Sequence, residues 1–359
     1  MKCIICNNEI SSNVDMLHIN KPIASDCRNV SFTTDIFQCQ HCQHYQKNID
    51  AHYLNNINEI YTHYRPYSVQ NGKEQLNFTA DIPFTRCNEI LKISEEFLPH
   101  ANAQFIDIGT GSGVMLEAVS QRYTNWTKSA HDVSDDYQSN LSQKYNLASF
   151  YKGDLSKIDH RFDIITLIHV LEHITSPPQF LDSINALLSN NGIAVIQVPN
   201  IAENEWDFSI YDHVSHFTKH TLKTLLDQHF KNVFFPIKQL NKEITVLVSN
   251  THTFPKQAIS PIKNERPLLE SFNLKIQQLK KLPACYILGT GPAASFCAHF
   301  LGEKFLGWID EDPLKIGKVM ANKTIQDASE LHTSPIFLPY PLSQVEQIKN
   351  RLPQNSYIY

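Results

Sequence analysis

The sequence predicts an α/β protein in which a doubly wound parallel sheet of seven strands lies between a small cysteine-rich module and a second, smaller α/β domain. Three observations predict this architecture. Residues 105–116 read as an apolar strand, a glycine-rich turn and the start of a helix. Two Cys-x-x-Cys pairs lie near the amino terminus, and a second strand and glycine turn begin at Cys285. Because 359 residues exceed the roughly 100 to 200 residues of one domain, we expect units at residues 1–55, 56–255 and 256–359.

Four cysteines define the first unit. Cys3 and Cys6 form one pair, Cys39 and Cys42 form the other, and 32 residues separate the pairs. Four thiolates suit a tetrahedral zinc ion, and a closed four-cysteine site leaves no position for catalysis, so we predict a structural zinc. Redox chemistry is the alternative use of these thiols. Cys27 is a fifth thiol that either replaces a ligand or is buried.

The glycine-rich turn of the second unit follows Asp107. Gly109, Gly111 and Gly113 stand at alternate positions, where residues without a Cβ adopt positive φ and approach a ligand closely. A dinucleotide fold has its third glycine three residues after the second, whereas this interval is two. The turn resembles motif I of the class I S-adenosylmethionine-dependent methyltransferases, which implies that Asp107 faces the cationic methionine end of S-adenosylmethionine. A tight turn without a ligand is the alternative.

Further cofactor contacts are predicted at the ends of neighbouring strands. Asp132 comes 25 residues after Asp107, where a doubly wound sheet presents a carboxylate to ribose hydroxyls. Asp154 and Leu155 follow the third strand, and the resemblance implies that this acid contacts the adenine. His169 follows the central strand, at the sheet edge where ligands bind. Helix capping is the alternative role for Asp132 and Asp154.

The order of the predicted elements also resembles the class I methyltransferase fold. Residues 162–168 are largely apolar and bounded by polar residues, as in a central strand buried on both faces. The other predicted strands occupy residues 105–108, 127–130, 148–151, 192–198, 233–236 and 243–248, and the last two form an antiparallel pair. The predicted helices between them occupy residues 114–122, 177–188 and 218–230.

The loop before the last of these helices carries an acid and a histidine side by side, Asp212 and His213. With the cysteine-rich start and the second glycine turn, this loop resembles the deoxysugar C-methyltransferases, which methylate keto-sugars carried on a nucleotide. Their loop typically reads Glu-His-x-Ser-x-Phe. In this chain Asp212 replaces the glutamate, and His216 stands where the family often has tyrosine.

Methylation of a carbon next to a ketone requires proton removal and a stabilised enolate, besides alignment with the methyl donor. A histidine with a pKa near neutrality beside an aligning carboxylate suits the proton removal. We therefore predict His213 as the base, Asp212 as the group that orients it, and His216, His173 or Tyr67 as donors to the enolate oxygen. The alternative is that the acid and histidine of the loop cap the following helix.

The third unit begins with another glycine turn. Gly289, Gly291 and Ala294 form a Gly-x-Gly-x-x-Ala pattern, and Asp310 follows Gly289 by 21 residues, in the position of a ribose-binding acid. We predict a Rossmann-like domain that holds the nucleotide of the substrate. A Rossmann-like domain that binds nothing is the alternative. Family members often have a basic residue in this loop, and this chain has none.

Composition limits the classes of partner. The chain is 42% hydrophobic and 19% charged, which is typical of soluble globular proteins. A net charge of -5 with scattered Lys and Arg argues against nucleic acid. No window approaches the roughly 20 apolar residues of a membrane span, so we expect a cytoplasmic protein without membrane contact. The predicted partner is a small-molecule substrate, a nucleotide sugar.

Other functions compete with C-methylation of a keto-deoxysugar. An O- or N-methyltransferase acting on a saccharide or another metabolite would form no enolate. A non-catalytic cofactor sensor or scaffold would bind the cofactor without turnover. A nicotinamide-dependent oxidoreductase fused to a methylase would need a hydride-transfer residue such as a Tyr-x-x-x-Lys pair, and the sequence after Gly291 has none.

Overall fold

The computed structural model describes residues 1–11, 16–64, 69, 72–74, 76–78, 83–257, 259 and 267–359. Within these residues, the strands form sheets of four, seven and six strands and one two-stranded pair. None of the helices in this part of the chain has both the length and the apolar content needed to cross a lipid bilayer.

The amino-terminal part is a small antiparallel sheet followed by helices. Its first strand alternates exposed and buried residues, the pattern of a sheet with one covered face. Asp50 is the N-cap of the first helix, and its side chain accepts a hydrogen bond from the backbone amide of Tyr53. The elements are β1 (Met16–Ile19), β2 (Thr34–Gln38), β3 (Tyr45–Lys47), α1 (Ala51–Thr62), β4 (Leu76–Asn77), β5 (Phe84–Thr85) and α2 (Arg86–Ser94).

The central part contains the seven-stranded sheet, in the order β12-β13-β10-β9-β6-β7-β8. Its elements are β6 (Gln104–Ile108), α3 (Val114–Arg122), β7 (Thr127–Asp132), α4 (Gln138–Tyr145), β8 (Ser149–Lys152), β9 (Phe162–Ile168), α5 (Pro177–Leu187), β10 (Leu188–Pro199), β11 (Ser215–His216), α6 (Lys219–Leu226), β12 (Asn232–Phe234) and β13 (Glu243–Ser249). The strands from β10 to β8 in this order run parallel, and β13 is antiparallel to both neighbours. The predicted α/β core with a closing antiparallel pair is confirmed.

Helices cover both faces of this sheet. Because consecutive residues of a strand point to opposite sides, one strand contributes residues to the core on each face. On one face, Ile106 and Ile165 belong to a core that includes residues of α5 and α6. On the other, Phe105 and Ile164 belong to a core that includes residues of α2, α3 and α4. Neighbouring residues of one strand thus belong to different cores, and the sheet is doubly wound.

Several element boundaries differ from the predicted ones, and two of the differences have a clear cause. The fifth parallel strand, β10, begins at Leu188 instead of residue 192, and its register with β9 is irregular after Leu188. Gly192 lies at this irregularity, where a Cβ would meet the carbonyl oxygen of Phe162 at 2.8 Å. The helix predicted from residue 218 begins one residue later, because Thr218 is its N-cap and forms a capping box.

The order of the strands reverses between β6 and β9. From β6 the chain moves outward through β7 to β8, and it then returns to β9 on the other side of β6. Ligands of doubly wound sheets bind in the crevice at the carboxyl ends of the strands at such a point. Asp107 near the end of β6 and His169 after β9 both lie at this edge.

The carboxy-terminal part is a second α/β unit, as predicted. Its elements are α7 (Leu268–Lys281), β14 (Cys285–Leu288), α8 (Pro292–Leu301), β15 (Phe305–Asp310), β16 (Val319–Met320), β17 (Lys323–Asp327), β18 (Ile336–Phe337), α9 (Leu342–Arg351) and β19 (Tyr357–Ile358). The sheet order is β16-β17-β15-β14-β18-β19, and every neighbouring pair except β16 and β17 is parallel.

The four-stranded amino-terminal sheet contains one strand from the central part. Its order is β1-β2-β3-β11. In the antiparallel pairing of β11 with β3, Ser215 lies opposite Gln46 and His216 lies opposite Tyr45. The loop that carries His213 is therefore built into the edge of the amino-terminal sheet.

Candidate active site

The turn after β6 requires glycine. Gly109, Gly111 and Gly113 have positive φ angles of 72°, 50° and 84°. A Cβ on Gly109 would lie 2.5 Å from Cγ2 of Val170, and a Cβ on Gly113 would lie 2.4 Å from Cδ2 of Leu141. Backbone strain and close contact therefore both exclude larger residues at these two positions.

Asp107 lies at the base of this turn and is almost fully buried. The hydroxyl of Thr166 on the neighbouring strand donates a hydrogen bond to Oδ1 of Asp107 over 2.7 Å. Burial raises the pKa of Asp107 to about 7, against the lowering effect of this hydrogen bond. A cation placed beside Asp107 would favour its ionised form.

The other two predicted cofactor acids accept hydrogen bonds from the backbone. Oδ2 of Asp132 accepts one from the amide of Gly111 over 2.8 Å, so Asp132 joins the end of β7 to the glycine turn. Oδ1 of Asp154 accepts one from the amide of Ser156 over 2.9 Å and caps the short helix Leu155–Lys157. The capping alternative therefore describes the contact that Asp154 makes, and Asp154 is also one of the residues that line the cavity described next.

One cavity of about 1850 Å³ runs along these residues and continues into the other two parts of the molecule. From the central part, its wall includes Asp107, Gly109, Gly111, Asp132, Asp154, Leu155, His169, His173 and His213. The amino-terminal part contributes Ser25, and the carboxy-terminal part contributes Gly289 and Tyr340. The structure thus brings most predicted cofactor and catalytic residues together, whereas Gly113, Asp212 and His216 are not part of the cavity wall.

The two histidines of the loop share one buried carboxylate that the sequence does not single out. Nδ1 of His213 lies 2.7 Å from Oδ1 of Asp207, and Nδ1 of His216 lies 2.6 Å from Oδ2. Burial opposes ionisation of Asp207, but the two imidazoles hold its pKa well below the usual range. Burial likewise opposes protonation of His213, yet Asp207 raises the pKa of that ring. The neutral His213 ring therefore carries its proton on Nδ1 and has a lone pair on Nε2.

Asp212 occupies a different place from the one predicted. Its oxygens accept hydrogen bonds from the backbone amide and the hydroxyl of Ser25, over 2.8 and 2.6 Å. Its Oδ2 also lies 3.5 Å from Nδ1 of His173. The carboxylate that holds His213 in the structure is Asp207, and Asp212 instead joins the loop to the amino-terminal part, where Ser25 supplies the donors that a buried carboxylate needs.

The structure separates the predicted enolate donors. His173 lines the cavity. Its Nδ1 donates to the backbone carbonyl of Asp212 over 2.9 Å, so Nε2 of the neutral ring is a hydrogen-bond acceptor and not a donor. His216 is fully buried and packs on the ring of Phe208. Its contact with the site passes through Asp207. Tyr67 lies outside the described residues.

His169 has a left-handed backbone conformation directly after β9, with φ of 57°. Its ring lies between two carboxylates, with Nδ1 2.9 Å from Oε1 of Glu172 and Nε2 3.3 Å from Oε2 of Glu243. Burial opposes protonation, but the two glutamates outweigh it and raise the pKa of His169 to about 9. His169 is therefore a cation in the cavity wall at neutral pH.

A buried lysine holds the loop from the amino-terminal side. Nζ of Lys47 donates to the carbonyl of Ile210 and, over 2.9 Å, to the carbonyl of Tyr211. The hydroxyl of Tyr53 donates to the same Tyr211 carbonyl over 2.8 Å. Burial lowers the pKa of Lys47 to about 7. These contacts position the backbone just before His213.

The four predicted metal-binding cysteines lie together. Sγ of Cys3 lies 3.5 Å from Sγ of Cys42, and Sγ of Cys6 lies 3.6 Å from Sγ of Cys39. All four sulfurs lie within 4.8 Å of one another. A tetrahedral zinc ion with sulfur ligands at about 2.3 Å separates its sulfurs by about 3.8 Å, so this donor set fits zinc.

Each cysteine pair lies in the same kind of backbone turn. The carbonyl of Cys3 accepts from the amide of Asn7, and the carbonyl of Cys39 accepts from the amide of Gln43, both over 2.9 Å. Asn7 and Gln43 both have left-handed φ, of 57° and 65°. Two matching irregular turns that face each other are what a shared metal ion requires. Cys27 is not part of this cluster, and burial raises its pKa to about 12.

The carboxy-terminal turn differs from the first. Gly289 has φ of 88°, and a Cβ there would lie 2.7 Å from the hydroxyl oxygen of Tyr340. The predicted ribose acid, Asp310, accepts a hydrogen bond from the hydroxyl of Thr290 over 2.9 Å and one from Nζ of Lys315 over 3.0 Å. Since Asp310 and Lys315 are both buried, this carboxylate is paired within the protein.

Comparison with curated proteins finds methyltransferases. The chain is 27% identical over 139 residues to the mitochondrial ubiquinone biosynthesis O-methyltransferase of Arabidopsis thaliana, covering 35% of this chain and 42% of that protein. It is 25% identical over 125 residues to the ubiquinone biosynthesis O-methyltransferase of Psychrobacter arcticus, covering 31% of this chain and 46% of that protein. The chain thus spans less than half the length of these relatives.

A solved structure of N,N-8-amino-8-demethyl-D-riboflavin dimethyltransferase from Streptomyces davawensis is 18% identical to this chain, with a TM-score of 0.38, covering 46% of this chain and 53% of its own. A family model described as a methyltransferase domain matches residues 84–230. The matched segment includes the turn after β6, the acids at the ends of β7 and β8, and the loop with His213. Residues 84–230 are therefore similar to methyltransferase domains.

Proposed function

We propose that this chain transfers the methyl group of S-adenosylmethionine to a carbon next to the ketone of a nucleotide-linked sugar. The observation that carries this proposal is the single cavity whose wall includes the turn after β6, His213 and the turn after β14. Methyl transfer requires donor and acceptor in line at close range. A shared cavity gives cofactor, base and nucleotide the proximity that this requires.

S-adenosylmethionine suits the turn after β6 because the charges are complementary. Asp107 offers a carboxylate to the cationic methionine end, and Asp132 stands where ribose hydroxyls would bind. Asp154 and Leu155 line the part of the cavity assigned to the adenine. Because the pKa of Asp107 is about 7 in the free protein, we expect cofactor binding near neutral pH to release part of a proton.

The proposed reaction begins at His213. Its Nε2 accepts a proton from the carbon next to the ketone, and Asp207 stabilises the resulting imidazolium through the proton on Nδ1. The electron pair of the broken C–H bond forms the enolate. S-adenosylmethionine held at the turn after β6 would supply the methyl group to the enolate carbon, with its sulfur keeping the electron pair of the broken methyl–sulfur bond.

The nucleotide is assigned to the turn after β14. This turn has no basic residue of its own, but Nζ of Lys242, from the central part, lies 4.2 Å from the ring centroid of Tyr340 beside Gly289. Burial lowers the pKa of Lys242 to about 8, which leaves it a cation at neutral pH. Lys242 thus brings a positive charge to the turn from another domain, which a nucleotide diphosphate favours. The ribose contact predicted at Asp310 has no such support.

We also propose that Cys3, Cys6, Cys39 and Cys42 hold one structural zinc ion. A bound zinc would fix the two cysteine turns and, through the pairing of β3 with β11, the loop with His213. We expect about one equivalent of zinc in freshly purified protein. Protein that is folded and active with less than half an equivalent would contradict the assignment.

The test is product analysis with S-adenosylmethionine labelled in its methyl group and a panel of nucleotide-linked keto-sugars. A thermal-shift screen with S-adenosylhomocysteine selects the panel, because a true ligand stabilises the native state. We expect His213→Asn to reduce turnover by about 10²–10⁴ while S-adenosylhomocysteine affinity stays within a few-fold. Undiminished turnover in this variant would remove His213 from the mechanism.

O-methylation is the second candidate, favoured by the curated relatives, both of which are named O-methyltransferases. His213 would then take the proton of a hydroxyl group, and no enolate would form. Magnetic resonance of the labelled product separates the two reactions, because a methyl carbon bound to oxygen and one bound to carbon resonate at different shifts.

A further inference from the structure

Glu172, His173 and His213 form a cluster beside the cavity, in which the two histidines line the cavity wall and Glu172 is fully buried behind it. One potential ligand atom of each residue lies within 4.8 Å of those of the other two. The two imidazole centroids are 4.6 Å apart, and the ring planes are perpendicular at 90°. Two imidazoles and one carboxylate are a donor set that divalent transition-metal ions prefer.

Glu172 has an unusual environment for a carboxylate. Its side chain is fully buried, and Oε1 accepts a hydrogen bond from Nδ1 of His169 over 2.9 Å. The other oxygen, Oε2, is buried without a hydrogen-bond partner among the described residues. Such an oxygen is costly to bury unless something pairs with it. A bound cation would satisfy it.

Both histidines have a nitrogen lone pair available. Nδ1 of His173 faces a backbone carbonyl, which only accepts hydrogen bonds, and Nδ1 of His213 faces the carboxylate of Asp207. Each neutral ring therefore carries its proton on Nδ1 and its lone pair on Nε2. A neutral imidazole with its second nitrogen held by a carbonyl or carboxylate is the usual form of a metal-ligating histidine.

The protein holds the parts of this cluster in place before any ligand binds. The backbone amide of Val214 donates to the carbonyl of Glu172 over 2.7 Å, which ties the loop to the segment after β9. His169 holds the Glu172 carboxylate, and Asp207 holds the ring of His213. These contacts correspond to the outer hydrogen bonds that orient ligands in metal sites.

We propose that Glu172, His173 and His213 bind a divalent transition-metal ion such as Zn²⁺ or Mn²⁺, with its remaining coordination positions open toward the cavity. Mg²⁺ and Ca²⁺ are not expected, because they prefer oxygen ligands. The proposal has a consequence that rests on the proposed function. Nε2 of His213 cannot hold a metal ion and accept a proton at the same time, so an occupied site lowers turnover.

The first test counts zinc in the full-length protein after equilibration with excess zinc and removal of free ion. We expect about two equivalents in the unmodified protein, one at the four cysteines and one here, and about one equivalent in Glu172→Gln. Glu243→Gln is the matched control, because Glu243 also contacts His169 but does not belong to the cluster. It should retain both ions. Thermal unfolding verifies that each variant is folded.

Cobalt(II) distinguishes the two sites, because thiolate ligands give an intense charge-transfer absorption that nitrogen and oxygen ligands lack. We expect a second cobalt ion without thiolate absorption in the unmodified protein and its loss in Glu172→Gln. Equal ion counts in the unmodified protein and Glu172→Gln, or a cobalt spectrum with thiolate character alone, would overturn the proposal.

Turnover separates this proposal from the proposed function. Loss of turnover on occupation of the second site, and recovery on mild chelation, supports both. A second ion that raises turnover supports the site and removes His213 as the base. Absence of any methylated product from the protein without this ion counts against the proposed function alone, because the ion count does not depend on turnover.

Discussion

The molecule has two turns in which glycines join a strand to a helix, one after β6 and one after β14. The two turns are similar in sequence but differ in their surroundings. Two residues before the first glycine, the turn after β6 has Asp107, whereas the turn after β14 has the buried Ile287. The acid that ends the next strand is Asp132 in the first case and Asp310 in the second. Asp132 accepts a backbone amide at the cavity wall, whereas Asp310 pairs with the buried Lys315. One sequence pattern thus leaves an acid at the cavity wall in the first turn and gives a buried acid paired with a lysine in the second.

The first prediction compares glycines of the two turns. Gly109→Ala puts a Cβ on a residue with positive φ, 2.5 Å from Val170. We expect backbone strain to cost about 1–2 kcal/mol and overpacking to cost about 1–3 kcal/mol. We expect S-adenosylhomocysteine affinity in calorimetry to fall by at least about 100-fold. Gly291→Ala is the control, because no atom of the described residues lies within 4 Å of its Cβ position. Equal affinities in the two variants would contradict the assignment of the cofactor to the first turn.

The second prediction concerns the acid that the other turn lacks. The pKa of Asp107 rises from its ordinary value of 3.8 to about 7 on folding. The contribution of Asp107 to the free energy of unfolding is therefore fully present below pH 4 and is lost as the pH rises to about 7. The loss is on the order of 4 kcal/mol at most. In denaturant unfolding without cofactor, Asp107→Asn should gain stability relative to the unmodified protein between pH 5 and pH 8, while its cofactor affinity falls. A difference independent of pH would contradict the raised pKa.

The third prediction concerns the paired acid of the carboxy-terminal turn. Asp310→Asn leaves the buried Lys315 without its anionic partner, so the free energy of unfolding should fall by about 3 kcal/mol. Affinity for S-adenosylhomocysteine should not change. Denaturant titration and calorimetry on the same preparation measure both quantities. If cofactor binding weakened while stability stayed unchanged, the cofactor would have to be assigned to the turn after β14 instead of the turn after β6.

The fourth prediction is the matching change in the first turn. Asp132→Asn removes a charged acceptor for ribose hydroxyls, so cofactor affinity should fall by about tenfold, or about 1.4 kcal/mol. The amide oxygen of asparagine can still accept from the backbone amide of Gly111, so thermal stability should change little. A large loss of stability with unchanged affinity would show that Asp132, like Asp310, is structural.

Much of the fold was predictable because its signals are local. The apolar strands, the glycines at positive φ and the paired cysteines each follow from neighbouring residues in the chain. The partner of His213 did not follow from such a signal. The predicted partner was its neighbour, Asp212, but Asp207 reaches the ring from a short helical segment six residues earlier. The two residues do not belong to one helix or strand, so no periodicity in the sequence relates them.

Local chemistry in the sequence accounts for the α/β order, the cofactor turn and the cysteine pairs, since strand, turn and ligand preferences act over a few residues. The folded chain decides which acid serves which partner. Burial and the nearest donor set the role of a carboxylate, and the glycine-turn pattern specifies neither. Asp212 is held by the distant Ser25, Asp310 pairs with Lys315 five residues later, and Asp132 lies at the cavity wall. Similar acids in similar patterns therefore acquire different roles only in the folded chain, where burial and the neighbouring donors are fixed.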